Sequence, residues 1–178
     1  MSEILPCLLL PLPDGKIVLP TSAVAEIIAY EKPETIADIP GWLLGILTWR
    51  GIHIPLVCLE KMENFLSWNK SIEEAIPEKT ALYSVAIINR VDKKISNHPD
   101  EPSHQYPFFS ILLKGVPKLY RVAKDGIKLV AEQPQGDKRF ILEARVQNDN
   151  ACIPDLPYLW EIIDGLPSRL QWFRQVVL

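Results

Sequence analysis

The chain has 178 residues, 48% of them hydrophobic and 23% charged, and a formal net charge of -3. That is enough ordinary globular sequence for one sizeable core or two small ones. A mildly acidic chain without a Lys/Arg cluster excludes a nucleic-acid partner, which needs a basic stripe. The lack of any run of 18 apolar residues excludes direct membrane insertion by a helix.

Residues 5–12 and 16–19 read as two strands joined by Pro13-Asp14-Gly15, since Asp-Gly at a corner is a strong hairpin cue. The apolar start is not a leader: Glu3 sits where a signal peptide carries positive charge, and Pro6, Pro11 and Pro13 interrupt the run. The expected compartment is therefore the cytoplasm. Pro20 ends the second strand, and Thr21 or Ser22 offers a helix cap. Val24, Ile27 and Ile28 fall at i, i+3, i+4, which predicts an amphipathic helix ending near Tyr30. Glu26 lies opposite that apolar stripe. Residues 32–38 form a polar loop.

Residues 39–60, IPGWLLGILTWRGIHIPLVCLE, are the organising stretch. Two apolar runs, 45–49 and 52–59, flank Arg50-Gly51 and predict a hairpin. Arg50 resists positive φ while Gly51 accepts it, so a type II or bulged corner is expected rather than type I′. Pro55 lacks a ladder donor, which predicts an edge or bulged strand. Arg50 is either a solvated turn charge or a guanidinium aimed by the corner at a carboxylate or a partner. Trp42, Leu43, Leu44, Trp49 and Ile52 either build core or form a docking patch.

Residues 61–80 make a charged connector, 82–88 a strand, and 90–105 a polar, Pro-rich loop expected to be mobile. Strands follow at 106–113, 116–122, 127–131, 140–146 and 151–153, with Asp125-Gly126 and Asn148-Asp149-Asn150 as corners. A short helix over 158–164 closes at Gly165, and 165–178 is an apolar tail. The 16 prolines are scattered, as turn and edge punctuation in a β-rich fold. Ile54-Pro55 after one corner is echoed by Ile153-Pro154 after another. The echo and the turn spacing suit two small β-barrels of five or so strands.

Catalytic signatures do not emerge. There is no GxSxG, P-loop, HExxH or Gly-rich dinucleotide turn. Cys7, Cys58 and Cys152 are dispersed and read as small buried hydrophobes. His53 reads as a strand residue, and His98 and His104 have no zinc spacing. Cys58 and His53 point to opposite faces of a strand, so they cannot act as a nucleophile pair. No cofactor or metal is expected.

The string LPTSAVAEI…IPGWLLGILTWRGIHIPLVCLE resembles the CheW-like domain of bacterial chemosensory systems. It carries V-x-E-I at Val24 to Ile27, then P-x-x-x-x-G-x-x-x-x-R-G-x-x-x-P-x-x-x-L from Pro40 through Gly45, Arg50-Gly51 and Pro55 to Leu59. The resemblance implies a mainly β fold: one CheW-like domain over 1–178, made of two SH3-like five-stranded barrels that exchange strands. It implies a non-catalytic adaptor coupling a methyl-accepting chemoreceptor to the regulatory domain of a CheA-type histidine kinase. Its partner-contacting positions carry over to Val24, Glu26, Gly45, Arg50 and Leu119, with Glu26 and Arg50 acting as a pair. Departures are Cys58 in place of an Asp, and Lys114 in the Leu113-Lys114-Gly115-Val116 stretch. Lys114 to Pro117 looks like the variant of type IV pilus, or twitching, clusters. The reading from another class is a small β-barrel ligand-binding or enzyme domain with loop 90–105 as its lid.

Overall fold

The computed structural model describes residues 4–63, 80–90, 106–123, 125–132 and 137–166. The expected loop 90–105 beyond Arg90, most of the connector 61–80 and the tail beyond Leu166 lie outside them, as do His98 and His104.

The fold is mainly β, in two sheets. The strands are β1 (Ile4–Leu12), β2 (Gly15–Pro20), β3 (Val24–Ala29), β4 (Leu43–Trp49), β5 (Ile52–Val57), β6 (Tyr83–Asn89), β7 (Phe108–Lys114), β8 (Lys118–Ala123), β9 (Ile127–Glu132), β10 (Phe140–Val146) and β11 (Asp149–Pro154). The helix α1 (Leu156–Asp164) follows them. One sheet runs β3-β6-β7-β5-β4 and the other β8-β1-β2-β11-β10-β9. The first two strands of the chain thus complete the sheet built by the last four.

Five strands of each sheet repeat one pairing scheme. In the smaller sheet β5 pairs antiparallel with β4 and parallel with β7. In the larger, β11 pairs antiparallel with β10 and parallel with β2. Ile54-Pro55 and Ile153-Pro154 lie on these two equivalent strands, so the sequence echo marks matching strands, although Ile153 stands two residues further from its hairpin corner than Ile54 does.

Three apolar clusters follow from strand alternation. Tyr30, Leu47, Trp49, Ile54, Val85 and Leu112 fill the inside of the smaller sheet. Cys7, Leu9, Val18, Val122, Val146 and Ala151 fill the inside of the larger one. Between them lies the main core, where Leu10, Ile17, Ile88, Phe109 and Ile111 meet Leu159, Trp160 and Ile163 of α1. The smaller sheet is therefore covered on both faces. That explains why β6 and β7 read as unbroken apolar runs rather than alternating ones.

Each sheet curls enough for distant strands to touch. Tyr120 on β8 donates its hydroxyl to Asp149 at the start of β11, 2.7 Å away, across two intervening strands. Lys16 Nζ reaches the other oxygen of Asp149 at 2.5 Å. These bonds, Lys16 first, hold the Asp149 carboxyl down at about 2 against an ordinary 3.8. A carboxylate whose folded pKa is depressed stabilises the fold above its unfolded value and loses that contribution as protons bind. Stability is therefore expected to fall as pH drops from about 4 to about 2, and D149N should flatten that part of the curve in acid-denaturation measurements.

α1 begins two residues before the expected start, with Asp155 accepting from Tyr158 N–H and Pro157 in the first turn. Arg90 at the end of β6 docks its far end. Its two terminal nitrogens meet both oxygens of Asp164 at 3.0 and 2.5 Å, and its guanidinium lies 4.4 Å from the Trp160 ring.

Val24–Ala29 form strand β3, not the expected helix, and in this stretch only Thr21–Ala23 makes a 3-10 turn, with no side-chain cap. The cause is a register shift between Val24 and Glu26 against β6. That bulge breaks the period of two and leaves apolar residues at helix-like spacing. Ile27 packs on the main core and Ile28 on the inside of the smaller sheet. Pro55 also departs from expectation, because β5 is an interior strand. Its cross-strand partner Ile46 gives both backbone groups to Glu34, so the missing N–H costs that ladder nothing. On the other side Ser110 Oγ donates to the Pro55 carbonyl at 2.9 Å.

Candidate partner-binding site

The β4–β5 hairpin closes with Trp49 opposite Ile52, leaving a two-residue corner. Arg50 has φ 49° and Gly51 φ 76°. Positive φ at both positions is the type I′ pattern, which matches the twist of the flanking strands. The expected type II or bulged corner is thus corrected: a two-residue loop between strongly twisted strands overrides the reluctance of Arg50. That conformation costs a non-glycine residue about 1–2 kcal/mol, offset by what its side chain touches.

Those contacts converge on Glu26. Arg50 Nη2 lies 3.0 Å from Glu26 Oε2. The indole Nε1 of Trp49 donates to the same oxygen at 2.9 Å. The Arg50 guanidinium sits 5.0 Å from the Trp49 ring centre, within cation–π range. Glu26 is on β3 and Trp49 on β4, the two edge strands of the smaller sheet. The pair expected from the resemblance is therefore present, carried by strand β3 and the β4–β5 hairpin corner rather than by a helix and that hairpin, at the seam where the curled sheet meets itself.

The other expected positions are dispersed. Val24, two residues before Glu26, is half-buried against the main core. Gly45 is buried, with φ 140°. A Cβ there would lie 2.3 Å from the Glu34 carbonyl oxygen, whose backbone bridges to Ile46 on both sides. Gly45 thus lets the chain after β3 cross β4 and complete the closure. Leu119 is on β8 of the other sheet, 60% exposed. Trp49 was legible only as an apolar neighbour of Arg50, and its indole donor is the part of the site that spacing did not reveal. Trp42, Leu43 and Leu44 are fully buried and belong to the cores, so they form no docking patch.

Nothing around the site resembles catalytic machinery. Burial, then the neighbouring Glu60 carboxylate, pushes the Cys58 thiol up to about 12, which leaves it without a reactive thiolate. His53 faces Thr48 across the hairpin, Nδ1 to Oγ1 at 3.1 Å. Among the described residues no group of three or more His, Cys, Asp or Glu side chains could hold a metal ion, and no helix is long and apolar enough to cross a membrane.

The family model of the CheW-like domain matches residues 6–94, half of the chain. The chain belongs to the CheW-like domain family. The match spans Glu26 and the whole β4–β5 hairpin, while Leu119 lies beyond it. Among solved structures, the fold is similar to that of the scaffolding protein TtCheW from Thermoanaerobacter tengcongensis, at 17% identity and a TM-score of 0.62, over 89% of this chain and 94% of that one. No match is found among curated proteins. As a CheW-like domain, this chain is a non-catalytic adaptor of chemosensory signalling.

Proposed function

We propose that this CheW-like domain couples a methyl-accepting chemoreceptor to the regulatory domain of a CheA-type histidine kinase in the cytoplasm. The observation that carries the proposal is the Glu26–Arg50 pair, held at a sheet seam inside the stretch that matches the family. Arg50 is 69% exposed even while paired. Nη2 meets Glu26, and most of the side chain still faces solvent, where a planar fork suits a partner carboxylate. Val24 lies beside the pair on β3, and Gly45 acts through the backbone that it lets close. Leu119 on the edge strand β8, with Val116 83% exposed before it, supplies a separate apolar contact. An output through type IV pili rests on the Lys114 to Pro117 stretch.

The ligand-binding alternative finds less support. A cavity of about 420 Å³ opens between β2, β11 and α1, but Leu19, Ile141, Ile153, Leu156 and Trp160 make it apolar. No titratable side chain lines it. The test is reconstitution of the chain with the cytoplasmic tip of its receptor and the kinase regulatory domain. One ternary complex on a sizing column is the expected result, and three separate species would sink the proposal.

A further inference from the structure

An exposed ion pair seldom holds its own geometry. Such pairs are worth about 0–1 kcal/mol, because two flexible side chains must be ordered against solvent. Glu26 and Arg50 are exposed by 38% and 69%, so their mutual attraction alone would leave both free to wander. Trp49 differs from both: it is 9% exposed, and its ring packs edge-on against Phe108 with centroids 5.0 Å apart. A donor fixed by packing is what a surface carboxylate needs to stay in place.

We propose that Trp49 is the positioning residue of this site: its indole N–H fixes the Glu26 oxygen that Arg50 shares, and its ring carries the guanidinium. The inference deepens the adaptor reading and rests on it for its consequence in binding. Three features of the structure combine in it. Trp49 Nε1 and Arg50 Nη2 meet on one oxygen, Oε2. The guanidinium lies over the same ring that supplies the N–H. From a left-handed backbone, the Arg50 side chain reaches both that ring and that carboxylate. Trp49 touches no partner in this scheme. It sets where the guanidinium stands when a partner carboxylate arrives, which lowers the ordering cost of binding.

W49F is the decisive variant, because it keeps an aromatic ring against Phe108 and removes only the N–H and part of the ring area under Arg50. Affinity for the isolated kinase regulatory domain should fall about tenfold with the circular dichroism spectrum unchanged. A readout independent of any partner accompanies it. The indole N–H resonance missing from the W49F spectrum is that of Trp49. In E26Q it should move, because the N–H then loses its charged acceptor. A resonance that ignores E26Q overturns the inference, as does W49F binding at wild-type strength while R50E binds weakly. If R50E itself binds normally, the adaptor reading has failed, and the indole resonance alone then decides whether Trp49 positions the pair.

Discussion

Gly45→Ala is expected to destabilise the fold by about 3 kcal/mol, combining left-handed strain of about 1–3 kcal/mol with a forced backbone shift. At φ 140° an L side chain is strained whatever the space around it. There is also no space: the new methyl would sit 2.3 Å from the Glu34 carbonyl oxygen and 3.0 Å from the Pro33 side chain. Backbone cannot swing aside as a flexible side chain does. Relief therefore requires Glu34 to lift off β4 and break its two bonds to Ile46, at 2.8 and 3.0 Å. Those bonds bind the chain after β3 to β4, the same two strands that Glu26 and Trp49 join. Loss of stability and loss of the Glu26–Arg50 geometry should thus appear together. Denaturant unfolding measures the first, amide hydrogen exchange at Ile46 the opening of the Glu34 bridge, and the Trp49 indole N–H resonance the second. An unfolding midpoint within error of wild type would refute this account of the glycine.

Arg139→Ala is expected to cost about 3–5 kcal/mol, the range for removing one partner of a buried ion pair. Arg139 is 8% exposed. Its Nε contacts both oxygens of Asp137 at 2.8 and 2.9 Å, its Nη2 bonds the same carboxylate, and Nη1 donates to the Leu59 carbonyl at 2.6 Å. Leu59 follows β5 and Arg139 precedes β10, so one guanidinium links segments belonging to the two sheets. Desolvation acts to raise the Asp137 carboxyl, yet the Arg139 bonds and charge outweigh it and hold that carboxyl below its usual range. Truncation would strand a half-buried carboxylate and a buried carbonyl together. R139M, which keeps the stem but loses the charge, should be nearly as damaging in the same unfolding assay. A loss below about 1 kcal/mol would mean that water replaces the guanidinium without penalty.

Much of the fold can be read from residue patterns, and the failures have identifiable causes. Asp14-Gly15 located a hairpin, Asp125-Gly126 the corner between β8 and β9, and the Ile-Pro echo the repeat, because turn chemistry is local; that β8 and β9 lie at opposite edges of their sheet was not legible. The end of helix α1 was legible for the same reason, from its closing Gly165, while its start after the Asp155 cap lies two residues before the expected one. The strand β3 was not, since its bulge at Glu26 is set by β6, more than fifty residues away. Arg50 in a left-handed conformation was likewise hidden. Arg50 pays locally for a twist imposed by two strands, and the compensating carboxylate comes from a third. The Glu26–Arg50 pairing came from family resemblance and not from spacing, which had placed Glu26 on a helix. Trp49 was misjudged because an apolar run cannot say which of its indoles also carries a needed donor. Leu119 was placed on a strand correctly, but spacing could not show that its strand belongs to the other sheet.

The two sheets also give the site a logic that no single segment carries. In each, a side chain on the first strand of the repeated scheme reaches the tip of the hairpin that ends it: Glu26 to Trp49 and Arg50 in one, Tyr120 to Asp149 in the other. Closure of a curled sheet needs such ties, since it leaves two edges facing each other. In the smaller sheet the tie is also the most exposed cation of the hairpin, which makes one structural feature available for recognition.

The most direct measurement is the dissociation constant of the kinase regulatory domain for the wild-type chain and for R50E, by titration calorimetry at one salt concentration. Weakening of at least about tenfold is expected, with the circular dichroism spectrum of the folded chain unchanged. Equal dissociation constants for the two proteins would contradict the central claim that the Glu26–Arg50 seam is a surface a partner holds.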